Sequence, residues 1–345
     1  MKYVPNYMLP VAGLMLLAFM LLAFLNTQAK SNELNIYSYR KPHLLEPLTD
    51  RFQARTGIVV NSVFLKKGLL ERLEAEGMNS PADIVMTVDI ARLKALTDAG
   101  LVQSVSSDVL EANIPAQYRD PNGMWFGLTT RARAIYYSVD RVDPGELSTY
   151  LDLANPKWKG RICIRSGHNI YNRSLISSMI NHHGEAATEV WLKGLRANLA
   201  RKPQGNDRAQ VKAIAEGLCD LSVGNTYYMG KMKVNPDQQA WADAAAIFFP
   251  NQDTHGTHVN ISGVSVTKSA TNISNAIAFL EFLTSDEAQE IYARDNLEYP
   301  VKDGIPWHPE VESWGGFKAD SMRLIDVAAQ SPAATMLVDK VGFDN

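Results

Sequence analysis

Apolar and polar positions alternate through Leu34-Asn-Ile-Tyr-Ser-Tyr39, the period of a strand with one face buried. Leu44, Leu48 and Phe52 then recur at i, i+4 and i+8, which lines one face of a helix, and Gly57 closes it. Ile58 to Leu65 is mostly apolar and β-branched and predicts a second strand; Leu69, Leu70 and Leu73 open a second helix. Asp83 to Thr87 predicts a short strand, and Ile90, Leu93 and Leu96 start a third helix. The order βαβαβα predicts an α/β fold with a parallel sheet and helices on both faces, whose ligands sit at the carboxyl ends of the strands. No Gly-x-Gly-x-x-Gly follows the first strand and no Gly-Lys-Ser/Thr loop occurs, which disfavours nucleotide-binding versions of the fold.

A second α/β unit is predicted after Trp125 to Tyr137. It holds a strand at Ile162-Cys-Ile164, helices around Leu175 to Asn181 and Gly184 to Leu195, and a strand from Cys219 to Val223. Val259 to Thr267 alternates again, and the helix from Asn272 carries Ile273, Ile277, Leu280 and Leu283 on one face. Crossings near 127–137 and 256–265 would join two lobes around a hinged cleft, a geometry suited to capture by closure.

The start of the chain departs from this pattern. Met8 to Leu25 has no charged side chain, follows Lys2 and precedes a polar stretch, so it reads as an export signal over residues 1–29. Thr27 and Ala29 suit removal near Ala29, while the length of the apolar run leaves an uncleaved membrane anchor as the alternative. Length and composition, 345 residues with 46% hydrophobic and 21% charged, fit about two globular domains. Lys+Arg 34 against Asp+Glu 37 gives a net charge of -3, no electrostatic footprint for nucleic acid, so anion recognition must be local. Export also changes the reading of the two cysteines: pairing of Cys163 with Cys219 is expected in an oxidising compartment, with two unpaired core thiols as the alternative.

Candidate chemistry gathers at Gly224-Asn-Thr-Tyr-Tyr-Met-Gly230, where two tyrosines lie between a strand and a helix start. In a first helical turn consecutive side chains diverge by only about 100°, so Tyr227 and Tyr228 can enter one cleft. Phenolates are hard anionic oxygen donors suited to a small, highly charged cation such as Fe³⁺. An adjacent pair alone is more often plain packing, and context comes from Tyr171, which follows a predicted strand end and precedes a helix. Arg40 and Lys41 follow the first strand, where an α/β sheet places ligand contacts, and can hold an anion. Arg131, Arg133, Lys66 and Lys67 are further cationic candidates whose plain reading is a solvated surface charge. Three phenolates would leave octahedral positions that a small bidentate anion such as carbonate could fill.

Seven segments together resemble the periplasmic ferric-iron-binding proteins, the solute receptors of iron ABC importers, in the branch that includes cyanobacterial iron receptors. They are Tyr37 to Arg40, Ser80 to Asp89, Thr130 to Arg133, Ile162 to Ser166, Ile170 to Asn172, Gly224 to Tyr228 and Gly256 to Gly263. The resemblance runs from about Leu34 to the C-terminus. It implies a two-lobed type II substrate-binding fold, with residues 34–130 plus 256–305 as N-lobe and 131–255 plus 306–345 as C-lobe. It also implies periplasmic Fe³⁺ as cargo, Tyr171, Tyr227 and Tyr228 as ligands, Arg131 beside them, a synergistic anion, a monomeric receptor and an ABC permease as partner. Many relatives have Arg-His-Tyr after the first strand, whereas here Arg40 precedes Lys41-Pro42-His43. That departure assigns Arg40 and Lys41 to the anion and leaves Tyr39 as a further candidate, as a metal ligand or as a lobe-closing contact.

His43 behind Pro42 reads as a capping or surface residue, His182-His183 before Gly184 as a helix C-terminus meeting free carbonyls, and His255 and His258 as residues near the hinge without the HExxH context of a metalloprotease. No Gly-x-Ser-x-Gly elbow or other catalytic pattern stands out, so no enzyme is expected. The rival binding reading is an oxyanion or small organic anion held without metal by Arg40, Lys41 and Arg131, with the tyrosines as hydrogen-bond donors.

Overall fold

The computed structural model describes residues 32–345, so the segment read as an export signal or anchor lies outside the described residues. No helix among the described residues is long and apolar enough to cross a membrane.

The first strand is β1 (Glu33–Ser38), followed by α1 (Pro42–Thr56), β2 (Val59–Phe64), α2 (Leu69–Glu76), β3 (Ile84–Thr87) and α3 (Ile90–Asp98). Gly57 ends α1 at φ 69, and its N–H donates to the Gln53 carbonyl at 2.8 Å, the left-handed stop that only glycine adopts cheaply. Then come β4 (Val102–Gln103), α4 (Asp108–Asn113), the 13-residue β5 (Phe126–Ser138), α5 (Ile170–Ala197), α6 (Asp207–Ala215), β6 (Leu221–Asn225), α7 (Thr226–Lys233), α8 (Gln239–Asp243) and β7 (Ala245–Phe248). The chain ends through β8 (Val259–Thr267), α9 (Ile273–Leu283), α10 (Asp286–Asn296), β9 (Tyr299–Pro300), α11 (Pro309–Glu312), α12 (Leu324–Ala329) and α13 (Ser331–Lys340).

β1 pairs in parallel with β2 and β3, as the βαβ units require. The sheet as a whole is mixed rather than parallel, because β8 returns antiparallel between β3 and β5. β5 organises the molecule. Its first half, Phe126 to Ala132, pairs with β8, and its second half, Arg133 to Ser138, pairs with β6 and β7. One strand thus passes from one hydrophobic core to another. The first core centres on Leu34, Ile36, Phe52, Ile84, Val264 and Phe279, and the second on Ile135, Trp158, Leu175, Trp191, Val223 and Phe343. Each such side chain contributes about 1.5–3 kcal/mol by leaving water. The two C-terminal helices pack in different places. Leu324 and Ala328 of α12 pack on Ile90, Leu93 and Trp125, while Leu337 and Val338 of α13 join the second core.

One local expectation changes. Ile162 to Ile164 forms no strand; Ile162 makes only isolated bridges to Leu199 and Leu221, because the run is too short to build a ladder. The two helices expected around residues 175–195 are both present along α5, separated by a kink at Gly184 (φ 79, ψ 162). Cys163 and Cys219 are bonded, with Cα atoms 5.8 Å apart, which ties the bridge segment to the approach of β6.

Candidate functional site

Two helix N-termini present the tyrosines. At the start of α5 the Asn169 side chain accepts the Tyr171 N–H at 3.1 Å. The Asn172 amide donates to the Arg165 and Ser166 carbonyls at 3.0 and 3.1 Å, which holds the loop against the first turn. β6 runs directly into α7, so Tyr227 and Tyr228 fall in a first turn as well. A Cβ on Gly224 would meet the Tyr136 ring at 2.1 Å, so this strand end closes only over glycine. Tyr136 in turn donates to the Asn225 carbonyl at 2.6 Å.

Here the three phenols gather. The Tyr227 O–H donates to the Tyr171 phenol oxygen at 3.4 Å, Asn225 Nδ2 donates to the Tyr227 oxygen at 3.3 Å, and the Tyr227 and Tyr228 ring centroids lie 4.4 Å apart. Guanidinium groups surround them. Arg131, Arg133 and Arg165 stand 5.7, 5.9 and 5.4 Å from the Tyr171 ring centre, and Arg208 stands 5.5 Å from that of Tyr228. Arg131 and Arg133 are two residues apart on β5 and so face the same side of the strand. Both are buried rather than solvated.

The buried arginines are held in place by specific partners. Arg133 Nη1 donates to Asp207 Oδ2 at 2.7 Å and to Asn225 Oδ1 at 3.1 Å, while Nη2 donates to Asn172 Oδ1 at 2.6 Å. Arg165 Nη1 donates to the other Asp207 oxygen at 3.2 Å. Asp207, fully buried at the start of α6, thus fixes two of the cations around Tyr171. Arg131 Nη2 donates to the Val88 carbonyl at 2.5 Å and lies 3.8 Å from Asp89.

Burial raises the Tyr227 pKa well above that of a free phenol, and Tyr171 and Tyr228 raise it further. Burial, with Tyr171 and Asp207, pushes Tyr228 up to about 12. Alone, these two side chains are neutral hydrogen-bonding phenols at pH 7; only a cation at their oxygens would make phenolates of them.

Arg40 is buried, donates from Nη2 to Glu298 at 2.8 Å and lies 5.0 Å from the Tyr292 ring centre. Its charge is therefore matched within the protein, although Nη1 is buried and has no hydrogen-bond partner among the described residues. Burial alone would raise the Glu298 pKa, but Arg40 outweighs it and holds the carboxyl below its usual range. Lys41 is exposed and sits at the N-cap of α1. Lys231 on α7 is pushed down to about 8 by burial, with Arg40, Arg208 and Lys41 adding repulsion against the opposing pull of Glu298.

Tyr39 stands elsewhere in the cleft. Its phenol oxygen accepts the Leu69 N–H at 2.9 Å and Arg92 covers its ring at 4.1 Å. It borders a cavity of about 730 Å³ between Lys67, Thr87 and Arg92 on one side and His168, Asn169 and Arg173 on the other. Lys66 and Lys67 are exposed, as is His43. His258 is buried against Ser174 at 3.2 Å. His182 meets Asp320 and His255 rather than free helix carbonyls.

The pattern of the chain left Asp207, Arg208, Lys231 and Glu298 unremarked. Each is a single charged residue in an ordinary helix or turn, and only the folded chain brings it to the tyrosines or to Arg40.

Residues 79–314 match the family model for bacterial extracellular solute-binding proteins. The chain is 47% identical over 321 residues to iron uptake protein A1 of Synechocystis, covering 92% of this chain and 89% of that one. Among solved structures, the apo ferric ion-binding protein A of Pasteurella haemolytica superposes with a TM-score of 0.87 at 53% identity, over 91% of this chain and 99% of that one. Trichodesmium IdiA (FutA) in complex with iron and citrate gives a TM-score of 0.87 at 47% identity, over 90% and 99%.

Proposed function

Because this chain belongs to the bacterial extracellular solute-binding protein family, we propose that it captures ferric iron in the periplasm and delivers it, as a monomer, to an ABC permease. In this reading Tyr171, Tyr227 and Tyr228 ligate the ion as phenolates, and a synergistic anion such as carbonate fills the remaining positions. Arg131 lies beside the tyrosines and stabilises the anion. Arg40 and Lys41 belong to the same anion site, with Arg40 offering its unpartnered Nη1. Residues 34–130 plus 256–305 and residues 131–255 plus 306–345 act as two lobes that close over the cargo, flexing where β5 changes partners between Ala132 and Arg133. Tyr39 contributes to the closed cleft rather than to the metal.

The observation that carries this reading is the 3.4 Å approach of the Tyr227 and Tyr171 phenol oxygens with Tyr228 alongside, inside a ring of arginines. Hard oxygen donors favour a trivalent ion over a borderline divalent one, and the surrounding cations offset the charge of phenolates and anion together. The test is to load metal-free protein with ferric citrate, then record its visible spectrum and metal content. One Fe³⁺ per chain with a phenolate-to-iron charge-transfer band is expected, and a colourless, iron-free protein would end the proposal.

A second reading keeps the cleft and drops the metal: an oxyanion or small organic anion held by Arg40, Lys41 and Arg131. The gathering of Arg40, Arg208 and Lys41 around Lys231 favours it, since these cations together suit an anion's charge. Tight anion binding to iron-free protein, unaffected by chelator, would select it.

A further inference from the structure

Away from the tyrosines, three remote segments bring two imidazoles and a carboxylate together. His182 lies on the last turn of α5 before the break at Gly184. His255 lies on the turn before β8, where the Gly256 N–H donates to the Asn251 carbonyl at 2.9 Å. Asp320 is tied to that turn because its N–H donates to the Thr257 carbonyl at 2.9 Å. His182 Nε2 and Asp320 Oδ2 are 2.7 Å apart, and the His182 and His255 rings stack with centroids 3.6 Å apart and planes at 16°. One ring nitrogen of each histidine and one Asp320 oxygen all lie within 4.8 Å of one another.

We propose that His182, His255 and Asp320 form a second metal site, distinct from the tyrosine cluster, that takes a borderline divalent cation of the Zn²⁺ class. Two imidazoles and one carboxylate are the donor set such ions prefer, whereas the phenols suit a harder ion. Metal–donor bonds of roughly 2.0–2.2 Å put tetrahedral donors about 3.3–3.5 Å apart. The pair at 2.7 Å must open, the wider separations must close by up to about 1.5 Å, and the stacked rings must turn about their χ angles so that both nitrogen lone pairs meet one ion.

The supporting contacts hold the donors in place. The second Asp320 oxygen accepts the Met322 N–H at 3.0 Å, and Ser178 Oγ donates to Asp320 Oδ2 at 3.4 Å. Such outer partners orient ligands in metal sites. The Asp320 side chain is only 4% exposed, so its charge gains from a cation, while His182 at 18% leaves an entry path and a place for water. His183 stands near, its ring 5.9 Å from that of His255. A metal here would tie α5 to the turn through which the chain re-enters β8.

The test titrates the metal-free full chain with Zn²⁺ by calorimetry, and with Co²⁺ as a spectroscopic stand-in. One equivalent of Zn²⁺ and a Co²⁺ spectrum of tetrahedral intensity are expected. The His182→Gln/His255→Gln double variant should weaken Zn²⁺ by at least about 100-fold, more than loss of an outer partner costs. A Tyr227→Phe/Tyr228→Phe variant should leave the isotherm unchanged. If the double variant does not fold, His255→Gln alone, at a half-buried position, carries the same test. Wild-type protein that takes up no Zn²⁺, an isotherm that survives loss of the histidines, or one abolished by the tyrosine changes would each overturn the proposal.

Discussion

The Tyr227 hydroxyl donates to the Tyr171 hydroxyl over 3.4 Å although the two residues are 56 positions apart, and each is set by the first turn of a different helix. A hydrogen bond between neutral phenols becomes repulsion once both are phenolates, so the arrangement holds its charged form only with a cation between the oxygens. Replacing Tyr227 and Tyr228 together by phenylalanine keeps the ring packing and removes two donors. Iron affinity should fall by more than about 100-fold, beyond the cost of an outer-shell loss, and the visible band should vanish. Competition against a chelator of known strength measures it, and unchanged colour would remove these residues from the iron site.

Iron uptake should release protons. Burial and the neighbouring phenol hold Tyr227 well above an ordinary tyrosine, and Tyr228 stands at about 12. Both are therefore protonated at pH 7, and ligation must displace at least two protons. Apparent affinity should rise roughly 100-fold per pH unit on their account alone. A weakly buffered titration with an indicator dye counts the protons directly. A count below two would mean that at least one of these phenols stays protonated.

Much of this was legible in the chain. Alternation and helical spacing located β1, α1 and β8, because these elements bury one face or both and the side-chain period records it, whereas β2, a largely exposed edge strand, was legible only in its β-branched composition. The Tyr-Tyr pair after a strand, and Tyr171 at a helix start, were legible because the N-terminal turn fixes where such residues point. The charged surroundings were not. Asp207 meets Arg133 and Arg165 only because α6 packs beside β5, and Glu298 meets Arg40 only because α10 packs beside α1. Ile162 to Ile164 has the composition of a strand, yet its neighbours leave it a single bridging residue.

Asp207 should matter to stability more than its single charge suggests. Its two oxygens accept from Arg133 at 2.7 Å and Arg165 at 3.2 Å, and its side chain is completely buried. Asp207→Ala would strand two guanidinium groups, one of them fully enclosed, at a cost of about 3–5 kcal/mol. Urea unfolding should show a lower midpoint with little change in slope, and an unchanged midpoint would mean that water replaces the carboxylate.

Lys231 gives a prediction of opposite sign. Its folded value of about 8 lies below the 10.5 of a free lysine, chiefly through burial and then through Arg40, Arg208 and Lys41, against the pull of Glu298. Below pH 8 both folded and unfolded chains carry the proton, and the full penalty of enclosing the ammonium is present. Between about 8 and 10.5 the unfolded chain binds more protons, so stability should rise with pH across that window. Lys231→Gln removes the penalty. At pH 7 it should stabilise the iron-free protein by on the order of 1–2 kcal/mol, a figure reduced from the full shift because the side chain keeps some solvent. The rise above pH 8 should disappear in the variant. An anion in the cleft would reverse the balance, since the ammonium then gains a partner, so the same substitution should weaken anion affinity while strengthening the empty fold. Urea midpoints at pH 7 and 9.5, with and without carbonate, separate the two effects. A variant less stable than the parent in the absence of any anion would mean that Glu298 already compensates the buried charge.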